Sequence, residues 1–196
     1  MGCFAGPLVV AATAFFDGDD PGLGEIKESK QVSRTRREIL APQIANAACW
    51  VDFGFASVEA INELGMNEAW QMACNMCLSS SPNIDVLIVD GVNGIRDYEG
   101  EQVVEAKADE NYWHVAAASI IAKTVRDWEM RYMAKFYPHY SFESNAGYGT
   151  KAHRDALQKY GFVPNLHRTK FIRKIPNLEK QDPREAQKKW AMCSLR

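Results

Sequence analysis

Two aspartates stand where a pair of carboxylates does metal chemistry. Asp90 closes the run Ile84-Asp85-Val86-Leu87-Ile88-Val89, apolar at five of its six positions, and is followed by Gly91. Such a run ending in Asp-Gly has the pattern of a buried strand that delivers a carboxylate to a sheet's edge. Asp109 comes nineteen positions later, after the short β-prone run QVVEAKA and ahead of a long helical pattern from Ala116 to Tyr137. Carboxylates carried on neighbouring strand ends suit a hard divalent cation, which takes oxygen ligands. Taken alone, each aspartate suits equally well a turn or helix cap, where Asp hydrogen-bonds the backbone.

Cys74 and Cys77 form a lone C-x-x-C inside an amphipathic helical pattern (Leu64, Met66, Ala69, Trp70, Ala73, Cys77), with no second ligand pair after it. Core packing is the better reading there than zinc or redox work. The five cysteines are odd in number and scattered, which points to a reducing compartment, the cytosol. The formal net charge of −2 conceals an asymmetry: residues 166–196 carry +6 and the first 165 residues −8. The basic end, with HRTKFIRK in it, makes nucleic acid a candidate partner, and KESKQVSRTRR from Lys27 to Arg37 is a second basic cluster.

The elements that must position these residues follow from periodicity and punctuation. Leu8 to Phe16 reads as a strand, and Ser33 as the N-cap of a helix that Pro42 kinks or ends. WVDFGFAS is a second strand, followed by helical stretches around Val58–Ile61 and Gly65–Leu78 and then by the strand ending at Asp90. The long helix after Asp109 shows an apolar stripe at Ile121, Val125, Trp128, Tyr132 and Phe136, the spacing of a buried face. Thr150 caps a shorter helix that Gly161 ends. The last stretch is a helix after Pro183 or a tail.

A chain of 196 residues, 46% of them hydrophobic, can bury a real core and fits one domain. No segment approaches the roughly 20 apolar residues of a membrane span, and the opening lacks the basic n-region of a secretory signal.

The strings CFAGPLVVAA (Cys3 to Ala12), ESK (Glu28 to Lys30), VDG (Val89 to Gly91), KAD (Lys107 to Asp109), AAASIIAKTVRD (Ala116 to Asp127), GYGT (Gly147 to Thr150) and HRTKF (His167 to Phe171) occur in one order. That order resembles ribonuclease HII, the type 2 ribonuclease H, over nearly the whole chain up to Phe171. The resemblance implies an α/β fold, a ribonuclease H-like mixed sheet flanked by helices, in a domain over 1–171 with a basic tail or helix over 172–196. It implies a monomeric endoribonuclease that cuts the RNA strand of RNA–DNA hybrids and nicks duplex DNA at embedded ribonucleotides. Catalysis would use Mg2+ or Mn2+ held by four acids, away from any membrane.

Carried over position by position, Asp90 and Asp109 match the family's third and fourth acids. Tyr148 matches a tyrosine whose ring packs on the sugar at the ribonucleotide–deoxyribonucleotide junction. Ser29 and Lys30 resemble a pair that approaches the backbone phosphates. Gly2 matches the last glycine of a loop that feels the 2′-hydroxyl, and His167 and Arg168 match a pair read here as phosphate contacts. Lys107, Ser119, Lys123 and Arg126 lie in matching strings, where some can reach phosphate.

Several positions depart from the family pattern. Glu28 replaces an aspartate, Ala108 a glycine and Lys170 a serine. Family members carry D-E-x-G-R-G before the CFAGP-like string, and that segment supplies the first two acids and a strand central to the sheet. Here Met1 stands at the arginine. The chain as written is therefore expected to be inactive, with its sheet damaged or rearranged. Two explanations stand side by side: a start lost through an internal initiation site or incomplete gene, or a short form that binds hybrids or a protein partner without cutting them.

Overall fold

The computed structural model describes residues 2–16, 26, 32–176 and 178. Among the described residues four strands and eight α-helices follow one another: β1 (Leu8–Ala14), α1 (Arg34–Ala47), β2 (Trp50–Ala56), α2 (Val58–Leu64), α3 (Met66–Leu78), β3 (Val86–Asp90), β4 (Glu101–Glu105), α4 (Ala108–Asn111), α5 (Trp113–Phe136), α6 (Phe142–Asn145), α7 (Lys151–Tyr160) and α8 (Thr169–Ile172). A 3-10 turn at Pro138–Tyr140 leads into α6. No helix among the described residues is long and apolar enough to cross a membrane. The chain divides into two compact units: Met1–Leu8 with Ala56–Ala69 and Arg126–Arg196, and Val9–Phe55 with Trp70–Val125.

In the unit built from Val9–Phe55 and Trp70–Val125, the strands form two separate pairs, β1 with β2 and β3 with β4. β3 and β4 run parallel, in a register that sets Asp90 opposite Glu105. The α/β class agrees with the sequence reading, and no strand among the described residues joins the two pairs. Leu40, Ala41 and Ile44 of α1 pack on Ala116, Ala117, Ile120 and Ile121 of α5, and three consecutive alanines on α5 permit that close approach. α3 meets β2 so tightly that a Cβ on Gly54 would stand 1.9 Å from the Ala73 carbonyl oxygen. Cys74 packs with Val89 and Ile95, as the core reading of the C-x-x-C requires.

Helix starts obey the local signals. Ser33 Oγ accepts the Arg36 N–H, Ser57 Oγ that of Ala60 and Thr150 Oγ1 that of His153, each satisfying an otherwise orphaned donor. Gly161, at φ 82°, ends α7. Of two further expectations, that for Pro42 is narrowed, since the proline does not end its helix, and that for the α5 stripe fails. α1 runs through Pro42 to Ala47, because its buried side chains on both sides of the proline hold the helix together across one missing backbone bond. On α5 the stripe turns outward after Val125: Trp128, Tyr132 and Phe136 are about half exposed, while Thr124 and Met130 are buried. With apolar residues on more than one face, α5 shows a spacing that does not fix which face turns inward.

The other unit has its core in Ala5, Met130, Tyr140, Phe142, Leu157, Leu166 and Ile172 and their neighbours. The segment after Gly2 is stitched into it by two antiparallel bridges, Cys3 to Tyr148 and Ala5 to His167.

Candidate active site

The acidic corner lies at the ends of β3 and β4. Because the strands are parallel and in register, Asp90 and Glu105 stand at matching positions where the strands stop. The ladder reaches one residue further, the Gly91 N–H donating to the Glu105 carbonyl at 3.0 Å. Gly91 takes φ 151°, a conformation other residues rarely adopt. The chain then reverses at Lys107, which is left-handed at φ 64° and starts α4. That reversal brings the Ala108 N–H to 3.1 Å from Asp90 Oδ1. Asp90 is thereby tied to the residue immediately before Asp109.

Their surroundings differ. Asp90 is exposed and Asp109 is buried at 4% exposure. Glu105 accepts a hydrogen bond from the Asn111 side chain and is the third acid of the corner, one that motif matching alone did not single out. Its signal was the parallel register, which is not written in either strand by itself. Lys107 pairs with Glu110 at 2.8 Å on the surface. His114 is stacked on Trp113, with centroids 3.9 Å apart, and burial lowers its pKa, which suits packing rather than proton transfer from an exposed site. Among the described residues no group of three or more His, Cys, Asp or Glu is placed to hold a metal ion. Magnesium is commonly held by one or two carboxylates, with water and substrate phosphate completing its shell.

Tyr148 occupies a corner of the other unit. Its ring is 39% exposed, and the Arg126 guanidinium lies 5.5 Å from the ring centroid. The glycines beside it are there for space: a Cβ on Gly147 would fall 2.5 Å from the Ala5 carbonyl oxygen, and one on Gly149 2.4 Å from the Phe4 ring. Gly147 also takes φ 79°. These approaches let the segment after Gly2 run beside Tyr148, so that Gly2, itself exposed, and the tyrosine are neighbours. Arg126 is buried and donates to the Ala146 and Ala5 carbonyls, a structural use rather than the phosphate contact considered for it. Ser29 and Lys30 lie outside the described residues, as do Glu28 and most of the basic tail over 172–196.

His167 and Arg168 require correction. Read as phosphate contacts, they are 0% and 1% exposed. Arg168 Nε donates to the Gly6 carbonyl at 2.9 Å and Nη2 to that of Pro7 at 2.7 Å. Its backbone N–H meets the Phe4 carbonyl at 2.7 Å. Burial lowers the guanidinium pKa to about 10, which leaves it charged at neutral pH. His167 faces His153, and its own carbonyl accepts from Asn62 Nδ2 of α2 at 3.1 Å. The Arg168 side chain is spent on holding Gly6 and Pro7 and the His167 ring on Val163 and His153, where phosphate has no access.

Residues 1–174 match the family model described as ribonuclease HII. The chain is 36% identical over 185 residues to a ribonuclease HII of Fusobacterium nucleatum, covering 92% of this chain and 85% of that one. It is 37% identical over 184 residues to the ribonuclease HII of Lactobacillus delbrueckii, covering 92% and 70%. Among solved structures it resembles the ribonuclease H2 of Pyrococcus horikoshii, with a TM-score of 0.74, 25% identity and coverage of 92% and 95%. It also resembles the RNase HII of Archaeoglobus fulgidus in the structure of its complex with PCNA, with a TM-score of 0.73, 27% identity and coverage of 94% and 95%.

Proposed function

The chain belongs to the ribonuclease HII family of ribonuclease H enzymes, and we propose from this that its substrates are RNA–DNA hybrids and duplex DNA carrying single ribonucleotides. The observation that supports the reading is the bond from the N–H of Ala108, the residue before Asp109, to Asp90 Oδ1. We assign these two carboxylates to Mg2+ or Mn2+. Such a cation, when bound, supplies Lewis acidity toward the scissile phosphate. The protein's own groups do the rest of the recognition: the exposed ring of Tyr148 offers a flat apolar face to the sugar at the junction, and exposed Gly2 leaves room for nucleic acid beside it. Ser29 and Lys30 are assigned to the backbone phosphates. The free thiols of Cys3, Cys49, Cys74 and Cys77 fit a cytosolic protein, and a monomer suffices for these contacts.

A polypeptide of these 196 residues brings two of the four acids that the family pattern gathers, and we expect it to bind substrate without cutting it. Two carboxylates offset little of the repulsion between a close pair of divalent ions. The test is a duplex with one embedded ribonucleotide, incubated with Mg2+ or Mn2+ and either this polypeptide or one extended at its start by D-E-x-G-R. Nicking beside the ribonucleotide is expected only from the extended chain. Cleavage by the 196-residue polypeptide would overturn the expected inactivity. Failure of either chain to prefer hybrid over plain duplex DNA would overturn the substrate assignment in favour of a protein-interaction domain.

A further inference from the structure

Two buried histidines form a hydrogen-bond chain whose direction the geometry fixes. The Val163 N–H points at Nδ1 of His167 at 2.9 Å. A ring nitrogen that receives an N–H is the unprotonated one, so the hydrogen of a neutral His167 is on Nε2. The Val163 carbonyl is farther from Nδ1, at 3.3 Å, and a proton placed there would confront the Val163 N–H. Nε2 of His167 lies 3.2 Å from Nε2 of His153 on α7. The other nitrogen of His153, Nδ1, is 2.9 Å from the Tyr148 carbonyl oxygen, which has no proton to give. Nδ1 of His153 therefore carries the hydrogen, and its Nε2 is the acceptor that His167 requires. Assignments made from opposite ends of the chain agree.

The pair is sealed. Both histidines are 0% exposed and are ringed by Phe4, Tyr140 and Phe142. Burial disfavours a cation on either ring. The Tyr148 backbone is also bridged to Cys3, its N–H donates to the Asn145 carbonyl and its carbonyl accepts the Thr150 N–H, the last two at 2.8 Å. The histidine chain adds a tie from that carbonyl to α7 and on to the Val163 backbone.

We propose that His153 and His167 are positioning residues for Tyr148: the relay from Val163 N–H through His167 and His153 to the Tyr148 carbonyl fixes the backbone that aims the exposed ring. The inference rests on the assignment of that ring to the sugar at the ribonucleotide junction.

Long-range proton–nitrogen correlation spectra of the unsubstituted, 15N-labelled protein at pH 7 read the tautomers directly. The expected result is hydrogen on Nδ1 of His153 and on Nε2 of His167; the reverse tautomers, or a cationic ring, overturn the proposal. Fluorescence anisotropy then compares affinity for a duplex containing one ribonucleotide with affinity for the all-DNA duplex. His153→Leu is expected to lower that preference about tenfold, the worth of one hydrogen bond to a backbone carbonyl, with all-DNA affinity unchanged. His153→Asn, whose amide offers an N–H near the Nδ1 position, is expected to keep most of it. If Tyr148→Ala abolishes the preference while folded His153→Leu retains it, the histidine inference falls and the tyrosine assignment stands. If Tyr148→Ala itself retains the preference, the sugar-contact assignment falls and the positioning role falls with it.

Discussion

Lowering the pH from 7 to 5 should destabilise the fold through the buried histidine pair. Burial first, then the neighbouring His153, lowers the His167 pKa from 6.5 to about 3. A depressed histidine takes up its proton in the unfolded chain before the folded one, so its stabilising contribution is complete above 6.5 and is lost as pH falls toward 3. At pH 5 the unfolded imidazole is almost fully protonated and the folded one is not, which amounts to about 2 kcal/mol lost relative to pH 7 for His167 alone. That is a large part of the roughly 5–15 kcal/mol that stabilises an ordinary domain. His153 and His114 are lowered by burial and act in the same direction. The window from 7 to 5 lies above the ordinary carboxylate range, so Asp and Glu titration contributes little there. Urea unfolding at pH 7, 6 and 5 measures the effect, with ring-nitrogen spectra at pH 5 as the companion reading. Unfolding free energy that stays flat across this window, or a His167 ring already cationic at pH 5, would refute the reasoning.

Arg168→Ala should lower unfolding free energy by about 3–5 kcal/mol, because it leaves the Gly6 and Pro7 carbonyls without their charged donor; weaker hybrid binding with unchanged stability would restore the phosphate reading instead. Ile120→Ala should cost about 2–5 kcal/mol and Trp128→Ala within about 0.5 kcal/mol of nothing, in line with their 0% and 51% exposure, as thermal or urea unfolding would show. Cys74 and Cys77 are buried with thiol pKa values pushed up to about 12 and about 11 by desolvation, so alkylation at pH 8 followed by peptide mass mapping should find exposed Cys49 modified and these two protected until unfolding.

Much of this molecule is legible one short stretch at a time. Ser33, Ser57 and Thr150 each accept a backbone N–H three residues ahead, and Gly161 stops a helix, because capping depends only on atoms within a turn. The run before Asp90 is a strand for the same local reason, and the ordered strings name the family without reference to any contact. The acidic corner needed tertiary structure: it exists because β3 and β4 run parallel in register and the chain reverses at Lys107, which sets a backbone N–H against Asp90 eighteen residues away. His167 and Arg168 show the limit most plainly. A basic pair near the chain's end reads as solvated or phosphate-facing, yet Arg168 donates to carbonyls more than 160 residues earlier in the sequence. Side-chain type fixes what bonds a residue can make; only the fold decides whether water, phosphate or a distant stretch of backbone is there to make them, because buried donors must be satisfied by whatever packing brings within about 3 Å.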